Sequence, residues 1–575
     1  MTVSALPATV AGGPRSRGFD ATWLIWIGLI AVLLFLVVSP FVHLLVTSFR
    51  SEKTGAFTFA NYAAAYGRER YVQALINSLE LGACSALLAG FFAVPLAWAV
   101  SRTDMPGRGL VRTLVLATFV TPPYTGAVAW ILLAGPNAGW LNRIYVMLTG
   151  AEAGPFNIYS FPGLVLVIAL YSYPYIFIFT TAALELVSSE MEDAANILGA
   201  GTWRTMRRVT LPLALPAILG GLIICFLEAI ALFASPAMIA IPARFNVVTT
   251  QLFQFFGNPV RVEVAAAYAM PLLAVTMLLV VVQRLMTRRK GFVALTGKGG
   301  ERRPIALGRG RWAAFGFAMF VATLSVFLPY VFLLQAAFAK AWGRGFDLAN
   351  LTFRNFHFVL FEHATAARSV LNSFTYAAAS ATIATVIAVG VAYIVNRRLI
   401  RFADGLGFLC IAPFVIPGVV LAIGFYSAYA PPPLALYGTA WILILAFTTR
   451  FLPIGYVNAH AAIRSLNPEM EEAVRVLGGS RLTALRRVVT PLLKRSLLGA
   501  WLLMFIPATR ELSSAIFLYG PKTKVVAVMI FDMSDEGNFE YLAALALILQ
   551  LLTLPLLWIG QRAIGRDFML RRTAT

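Results

Sequence analysis

Four ionisable residues stand where an otherwise apolar chain tolerates them poorly: Glu228, Arg450, Arg510 and Glu511 each fall inside a hydrophobic run. A charge at membrane depth is costly enough to be a functional hypothesis by default. Two guanidinium groups and two carboxylates have two uses there. They can pair with each other as structural bridges, Glu228 with Arg450 or Arg510, or they can mark a functional site. No other constellation suggests chemistry. His43, His357, His363 and His460 are scattered along the chain and lack the clustering that metal ligation needs. Cys84, Cys225 and Cys410 sit in separate apolar segments, which suits packing rather than a disulfide framework or metal cluster. Asp535, Glu536 and Glu540 form an acidic group with no nucleophile, His or Cys beside them, so a membrane enzyme built on catalytic carboxylates is poorly supported. No catalytic residue and no metal site are assigned.

The elements that must carry these charges follow from composition. Of 575 residues, 59% are hydrophobic and only 12% charged, and the mean hydropathy is +0.79. That is too little polar surface to coat a soluble globule of this size. The net charge of +21 would suit nucleic acid, but the basic residues lie in short clusters between apolar runs, so the expected partner is membrane lipid. Runs long enough to cross a bilayer as helix fall near 22–46, 74–100, 113–134, 162–184, 213–240, 263–287, 312–338, 370–395, 406–430, 437–462, 496–519 and 542–562. The fold class is therefore an all-α integral membrane protein of twelve transmembrane helices. Arg15 and Arg17 precede a first run too long for a signal-peptide core, so that helix is expected to be retained. With the N-terminus inside, most of the Lys and Arg fall on cytoplasmic segments, which places both termini in the cytoplasm.

Residues 288–311 are Gly-rich and basic and read as a cytoplasmic linker between two six-helix halves. The "LTGKGG" inside them lacks phosphate-loop spacing, and no ATP site of the chain's own is found. The halves repeat each other. "FTFANY" at 57–62 answers "LTFRNF" at 351–356, and each leads to an Asn-Ser pair, Asn77-Ser78 and Asn372-Ser373. Pro40, Pro123, Pro174 and Pro242 answer Pro329, Pro417, Pro453 and Pro521, all at offsets between 279 and 295 residues. Because each half has an even number of spans, the two are tandem parallel repeats. The aromatic stretch "FQFFGNP" at 253–259 reads as an interfacial belt, and 533–540 as a solvated external loop.

The closest match between the halves is polar. Asp193-Ala194-Ala195, three residues, Gly199, nine residues and Val209-x-Leu211-Pro212 answer Glu472-Ala473-Val474, three residues, Gly478, nine residues and Val488-x-Thr490-Pro491. The acidic residues Glu190, Glu192 and Asp193, and Glu469, Glu471 and Glu472, suit the N-terminus of a short helix. The alanines leave a low face for another protein, and Gly199 and Gly478 can end the helix in a left-handed conformation before a basic second helix that Pro212 or Pro491 closes.

This pattern resembles the EAA loop, E-A-A-x3-G-x9-I-x-L-P, of the permease subunits of binding-protein-dependent ABC importers. Asp193 in place of Glu, Val474 in place of Ala and Thr490 in place of Leu are the departures. The resemblance implies two type I permease cores, 74–287 with coupling loop 190–212 and 370–562 with coupling loop 469–491. They are flanked by 1–73, 312–369 and 563–575, which hold the tails, the first and seventh spans and their external loops. It implies that Glu192, Asp193, Ala194, Ala195, Gly199, Leu211, Pro212, Glu471, Glu472, Ala473, Gly478 and Pro491 couple to two copies of a separate ATP-binding subunit. ATP and Mg belong to those subunits, and a soluble extracytoplasmic solute-binding protein delivers the cargo. "EAIALFASPAMIAIP" from Glu228 and "RELSSAIFLYGP" from Arg510 resemble segments of the fused ferric-iron-type permeases, a resemblance that implies that Glu228, Arg450, Arg510 and Glu511 line the translocation path, and the fusion of both halves in one polypeptide points to ferric iron ahead of thiamine, aminoalkylphosphonate or polyamine. On that reading the protein resides in a bacterial inner membrane. An ion-coupled secondary carrier would also have parallel halves, but it leaves the paired loops unexplained.

Overall fold

The computed structural model describes residues 22–187, 189–289 and 304–564; most of the expected linker and both expected tails lie outside them. The described residues are helical, with only isolated bridges and no β-strand. In the first half the principal helices are α1 (Trp23–Ser48), α2 (Glu69–Arg102), α3 (Arg108–Val120), α4 (Pro123–Ala134), α5 (Phe161–Leu186), α6 (Ser189–Ile197), α7 (Thr202–Ala231), α8 (Val248–Phe255) and α9 (Val262–Arg289). The second half repeats them in order as α10 (Gly310–Ala337), α11 (Ala364–Asn396), α12 (Ala403–Phe414), α13 (Gly418–Tyr429), α14 (Ala440–Arg464), α15 (Glu469–Val476), α16 (Arg481–Thr509), α17 (Val526–Asp535) and α18 (Phe539–Ile564).

Among the described residues ten helices are long and apolar enough to span a membrane, and twelve spans result when the bent pairs α3–α4 and α12–α13 each count as one. The third and ninth spans are thus not straight. They turn by 98° and 111° at Pro122-Pro123 and Pro417, because proline cannot donate to the helical ladder and its ring excludes the preceding residue from helical geometry. The fifth and eleventh spans also end earlier than hydropathy suggests, at Ala231 and Thr509, and the remaining apolar residues form short buried segments that lead to α8 and α17.

Proline acts differently elsewhere. Residues Leu34–Val38, Met206–Thr210, Thr323–Phe327 and Leu485–Val489 are π turns, each followed two residues later by Pro40, Pro212, Pro329 or Pro491. A proline ring clashes with the carbonyl four residues before it, and widening the turn relieves that clash without ending the helix. Pro212 and Pro491 therefore do not close a separate basic helix. α7 and α16 run through them unbroken as membrane spans.

The first span of each half packs on the other half: α1 lies against α13, and α10 against α4. The carbonyls loosened by the π turn of α1 find donors there. Tyr429 donates its hydroxyl to Phe35 O, and Thr449 Oγ1 donates to Leu36 O at 3.3 Å. On the opposite side Ser325 Oγ meets Thr118 Oγ1 at 3.2 Å, and Tyr330 meets Thr121 Oγ1 at 2.8 Å. The repeated Asn-Ser pairs also have one job in both halves. Ser78 Oγ accepts from Val248 N at 2.7 Å and Ser373 Oγ from Val526 N at 2.8 Å, while Asn77 donates to Asn246 O and Asn372 to Lys522 O and Lys524 O. Each pair fixes the first turn of α8 or α17, where orphan helical N–H groups need acceptors. Finally, the residues that enter the second half pair with the end of α2: Ile305 N donates to Arg102 O at 2.8 Å, Asp104 N to Ile305 O at 3.1 Å, and Leu307 N to Asp104 Oδ1 at 2.9 Å.

If α1 and α10 are exchanged between halves, covalent linkage is not what holds them together. Cutting the chain between Arg289 and Pro304 and coexpressing the pieces should yield a complex that copurifies through a tag on one piece. Recovery of the tagged piece alone would contradict the exchange.

Candidate functional site

The four membrane-depth charges converge, but not as either expected pair. Arg510 lies just past the end of α16 and crosses to the first half, where its Nη1 donates to Val120 O, the last carbonyl of α3 before the break. Arg450, on α14, donates from Nη1 to Ile416 O at 3.2 Å, the carbonyl just before Pro417 at the other break. Both arginines therefore satisfy backbone acceptors that the bent spans leave exposed at membrane depth, where no bulk water is available. Gly418 makes room for this, since a Cβ there would stand 3.0 Å from Arg450 Cζ. Glu511 Oε2 lies 3.5 Å from Arg450 Nε, and its Oε1 accepts from Ser514 N at 3.0 Å. Glu228, in the last turn of α7, is half-buried, and its carboxylate has no hydrogen-bond or ion-pair partner among the described residues. It stands within the field of Arg450, Glu511 and Arg510. The expected bridges from Glu228 to Arg450 or Arg510 are thus replaced by an Arg450–Glu511 pair, and Glu228 is left facing the junction between halves.

Next to this junction the aromatic stretch expected at the lipid interface turns inward. Phe253 packs against Phe517 and Phe531 of the second half at ring-centroid distances of 6.1 and 5.8 Å, and Phe256 against Phe517 and Tyr426 at 4.9 and 5.3 Å. Phe233 completes the cluster, 6.0 Å from Phe517 and 5.9 Å from Phe531. Edge-to-face geometry dominates, the arrangement that the ring quadrupoles favour. The seam between halves is closed by rings carried on α8, α17, the segments that adjoin them and α13. Lys524 Nζ, 2.7 Å from Asp532 Oδ2, ties the loop before α17 to that helix. Burial works against the lysine charge, but the hydrogen bond that Lys524 donates to the Asp532 carboxylate, with that group's charge, outweighs it and holds Lys524 above its ordinary value.

The twin polar stretches lie at the other end of α2, α5, α11 and α14. In each, a short helix ends in a glycine with positive φ, +80° at Gly199 and +86° at Gly478. Ala200 N donates to Ala195 O and Gly479 N to Val474 O, the six-to-one bonds of a Schellman cap. The residues before the glycine project into solvent: Ile197 and Leu198 are 85% and 87% exposed, Val476 and Leu477 81% and 88%. Asp193, Ala194, Glu472 and Ala473 are exposed beside them. Leu211 and Pro212, and Pro491, belong instead to the spans α7 and α16.

Glu192 and Glu471 do not share the exposed face. They are buried, and the helix dipole is not their main partner. Glu192 forms an ion pair with Arg102 at the end of α2 and accepts from Thr210 Oγ1 at 2.7 Å. Glu471 accepts from Arg397, just past α11, through Nε at 2.9 Å and Nη2 at 2.5 Å, and from Tyr393 OH at 2.8 Å. Arg102 and Arg397 were hidden within the general excess of basic residues on that side. Their repeat offset of 295, the same as that of the Asn-Ser pairs, is the signal that singles them out.

A duplicated bundle with exchanged first spans, an aromatic seam beside a cluster of buried charges and two matching projecting elbows points to a polytopic membrane transport subunit. Residues 88–292 and 384–566 match the family described as Binding-protein-dependent transport system inner membrane component, and the chain belongs to that family. It is the membrane permease component of a binding-protein-dependent ABC importer, with two permease segments fused in one polypeptide. The chain is 25% identical over 536 residues to a Ferric transport system permease protein FbpB of Actinobacillus pleuropneumoniae, covering 91% of this chain and 75% of that one. It is also 25% identical over 552 residues to a Probable ABC transporter permease protein y4fN of Sinorhizobium fredii, covering 93% and 94%. A Putative 2-aminoethylphosphonate transport system permease protein PhnV of Salmonella choleraesuis matches 45% of this chain over its own whole length, at 27% identity.

The two kinds of charge should separate in stability. Arg510→Met leaves the Val120 carbonyl without its donor and should cost about 1–3 kcal/mol, read as a lower thermal unfolding midpoint in detergent. Glu228→Gln, which breaks no contact, should leave that midpoint where it was. Equal losses from both would refute the assignment of Arg510 as a backbone cap.

Proposed function

We propose that each projecting elbow docks one copy of a separate ATP-hydrolysing subunit, so that the chain works with two. Ile197 and Leu198, and Val476 and Leu477, would enter a groove on each motor, with Asp193 and Glu472 at its rim and the alanines allowing close approach. ATP and Mg would reside on those subunits. On this reading the elbows and both termini face the cytoplasm, and a solute-binding protein delivers cargo at the opposite end, where the aromatic seam closes the path. Glu228, beside Arg450, Arg510 and Glu511, would be the polar group that cargo meets on passing the seam. The domain limits 74–287 and 370–562 with loops 190–212 and 469–491 are kept as the coupling cores.

The observation that carries this reading is the duplication of the elbow in detail. Two sites that share one glycine conformation, one pair of exposed large apolar residues and one buried acid are not explained by charge-guided orientation alone, which needs only Lys and Arg. For the cargo we favour ferric iron, because full-length relatives carry that name. The half-length relatives named for 2-aminoethylphosphonate and for spermidine and putrescine supply the comparison substrates.

Leu198→Asp combined with Leu477→Asp alters only exposed side chains, so insertion and thermal midpoint should hold. Copurification with the ATPase and ATP-driven uptake into proteoliposomes should both be lost. Wild-type uptake by the double variant would end the docking reading. Uptake of radiolabelled ferric ion, 2-aminoethylphosphonate and putrescine, each with its binding protein, decides the cargo.

A further inference from the structure

We infer that α2 and α11 are connecting rods that link each docking elbow to the aromatic seam at the far end, and that Glu192 and Glu471 are the positioning residues that engage them. The inference rests on the docking reading above, and three observations lead to it.

On α6 the buried Glu192 and the exposed Ile197 are five residues apart, which at 3.6 residues per turn places them on nearly opposite faces. One face is free for a partner and the other is pinned to Arg102. α15 repeats this with Glu471, pinned to Arg397, and Val476. Both ion pairs are buried or nearly so, with side-chain exposures of 4% and 5% in the first half and 15% and 9% in the second. A buried pair of this kind resists separation because breaking it strands a charge.

The second observation lies at the other end of the same two helices. Ser78 on α2 and Ser373 on α11 hold the first residues of α8 and α17, and those helices carry Phe253 and Phe531 of the seam. From Ser78 to Arg102 is roughly 36 Å of continuous helix at 1.5 Å per residue. Each rod therefore has a fixed grip at both ends: a buried salt bridge at the elbow and an Asn-Ser latch on the helix that closes the path. The third observation is that the two grips recur together in both halves although the residues beside them differ, with Thr210 supporting Glu192 and Tyr393 supporting Glu471.

The test uses the full chain with its three native cysteines replaced by alanine, reconstituted with its ATPase subunits. Phe253→Cys with Phe517→Cys reports seam closure by its rate of disulfide formation, and a separate Ile197→Cys chain reports docking by crosslinking to the motor. In the otherwise unaltered chain, nucleotide-bound motor should slow the 253–517 disulfide. With Glu192→Gln and Glu471→Gln the Ile197→Cys crosslink should persist, while the nucleotide effect on the seam and the solute moved per ATP hydrolysed both fall by roughly tenfold. Ser78→Ala with Ser373→Ala, which removes only neutral hydroxyls at the far grip, should give the same loss and covers the case in which the acid variants fail to fold. A seam that still responds to nucleotide at the unaltered rate in the serine variant, or in folded acid variants, overturns the inference. So does loss of the elbow crosslink in the acid variants, which would make the ion pair a support for docking only. Absence of that crosslink in the unaltered chain would instead overturn the docking reading.

Discussion

A backbone carbonyl inside a membrane must have a donor, and the rest of this structure is arranged around two carbonyls that the helices themselves do not satisfy. Val120 O and Ile416 O are freed where the third and ninth spans bend by about a right angle, and each is met by a guanidinium group. A closed helix would have avoided the problem. Bent spans are tolerated because a charged donor is brought to each break, and that charge then needs its own counterweight. Glu511 provides it for Arg450. The chain of necessity from proline to break, from break to arginine and from arginine to carboxylate accounts for three of the four membrane-depth charges without reference to cargo. Glu228 alone is not consumed by it.

Both arginines belong to the second half, and one of them caps a helix of the first. The repeat is thus parallel in topology but not in chemistry. A homodimer of identical halves would have to supply each break with its own copy of the same donor. A fused chain is free to serve one break from within its half and the other from across the seam, and the return segment at Ile305 that pairs with the end of α2 has no second-half equivalent among the described residues. Fusion converts a symmetric device into one whose halves can carry different loads.

What could be read from the amino acids alone follows from which signals are periodic. Spans, the parallel repeat and the glycine-centred elbows were legible because length, offset and spacing carry them. The partners of Arg450 and Arg510 were not, since a carbonyl acceptor is present at every residue and only the bend decides which ones are orphaned. Pro122, Pro123 and Pro417 marked those bends, yet the hydropathy of 113–134 and 406–430 is the same for a straight helix as for a broken one. Pro212 and Pro491 misled in the other direction, because a π turn absorbs the steric clash and leaves the span intact. The stretch from 253 to 259 does not declare itself, because an aromatic seam and an aromatic belt have one composition and differ only in what faces them. Glu192 and Asp193 are adjacent acids of the same class, and burial alone separates the residue that is pinned from the one that is free.

That separation has a mechanical consequence. A lever needs a contact surface, a fulcrum and a stiff arm, and a short helix can supply the first two only if its opposite faces differ in chemistry. α6 and α15 meet the condition with exposed aliphatic residues on one side and a buried carboxylate on the other. The stiffness comes from α2 and α11, 34 and 33 residues long, each backed along much of its length by two neighbours, α5 and α7 or α14 and α16. A force applied to the elbow is not dissipated in a loop, because the loop is short, capped by a Schellman glycine and anchored by an ion pair. On the proposed docking reading it would reach instead the serine that holds the first turn of the helix on which Phe253 or Phe531 is mounted. The same geometry explains why polar residues persist at both ends of these otherwise apolar helices: each is a joint, and a joint between rigid bodies in a low-dielectric interior requires a directional bond rather than a greasy contact.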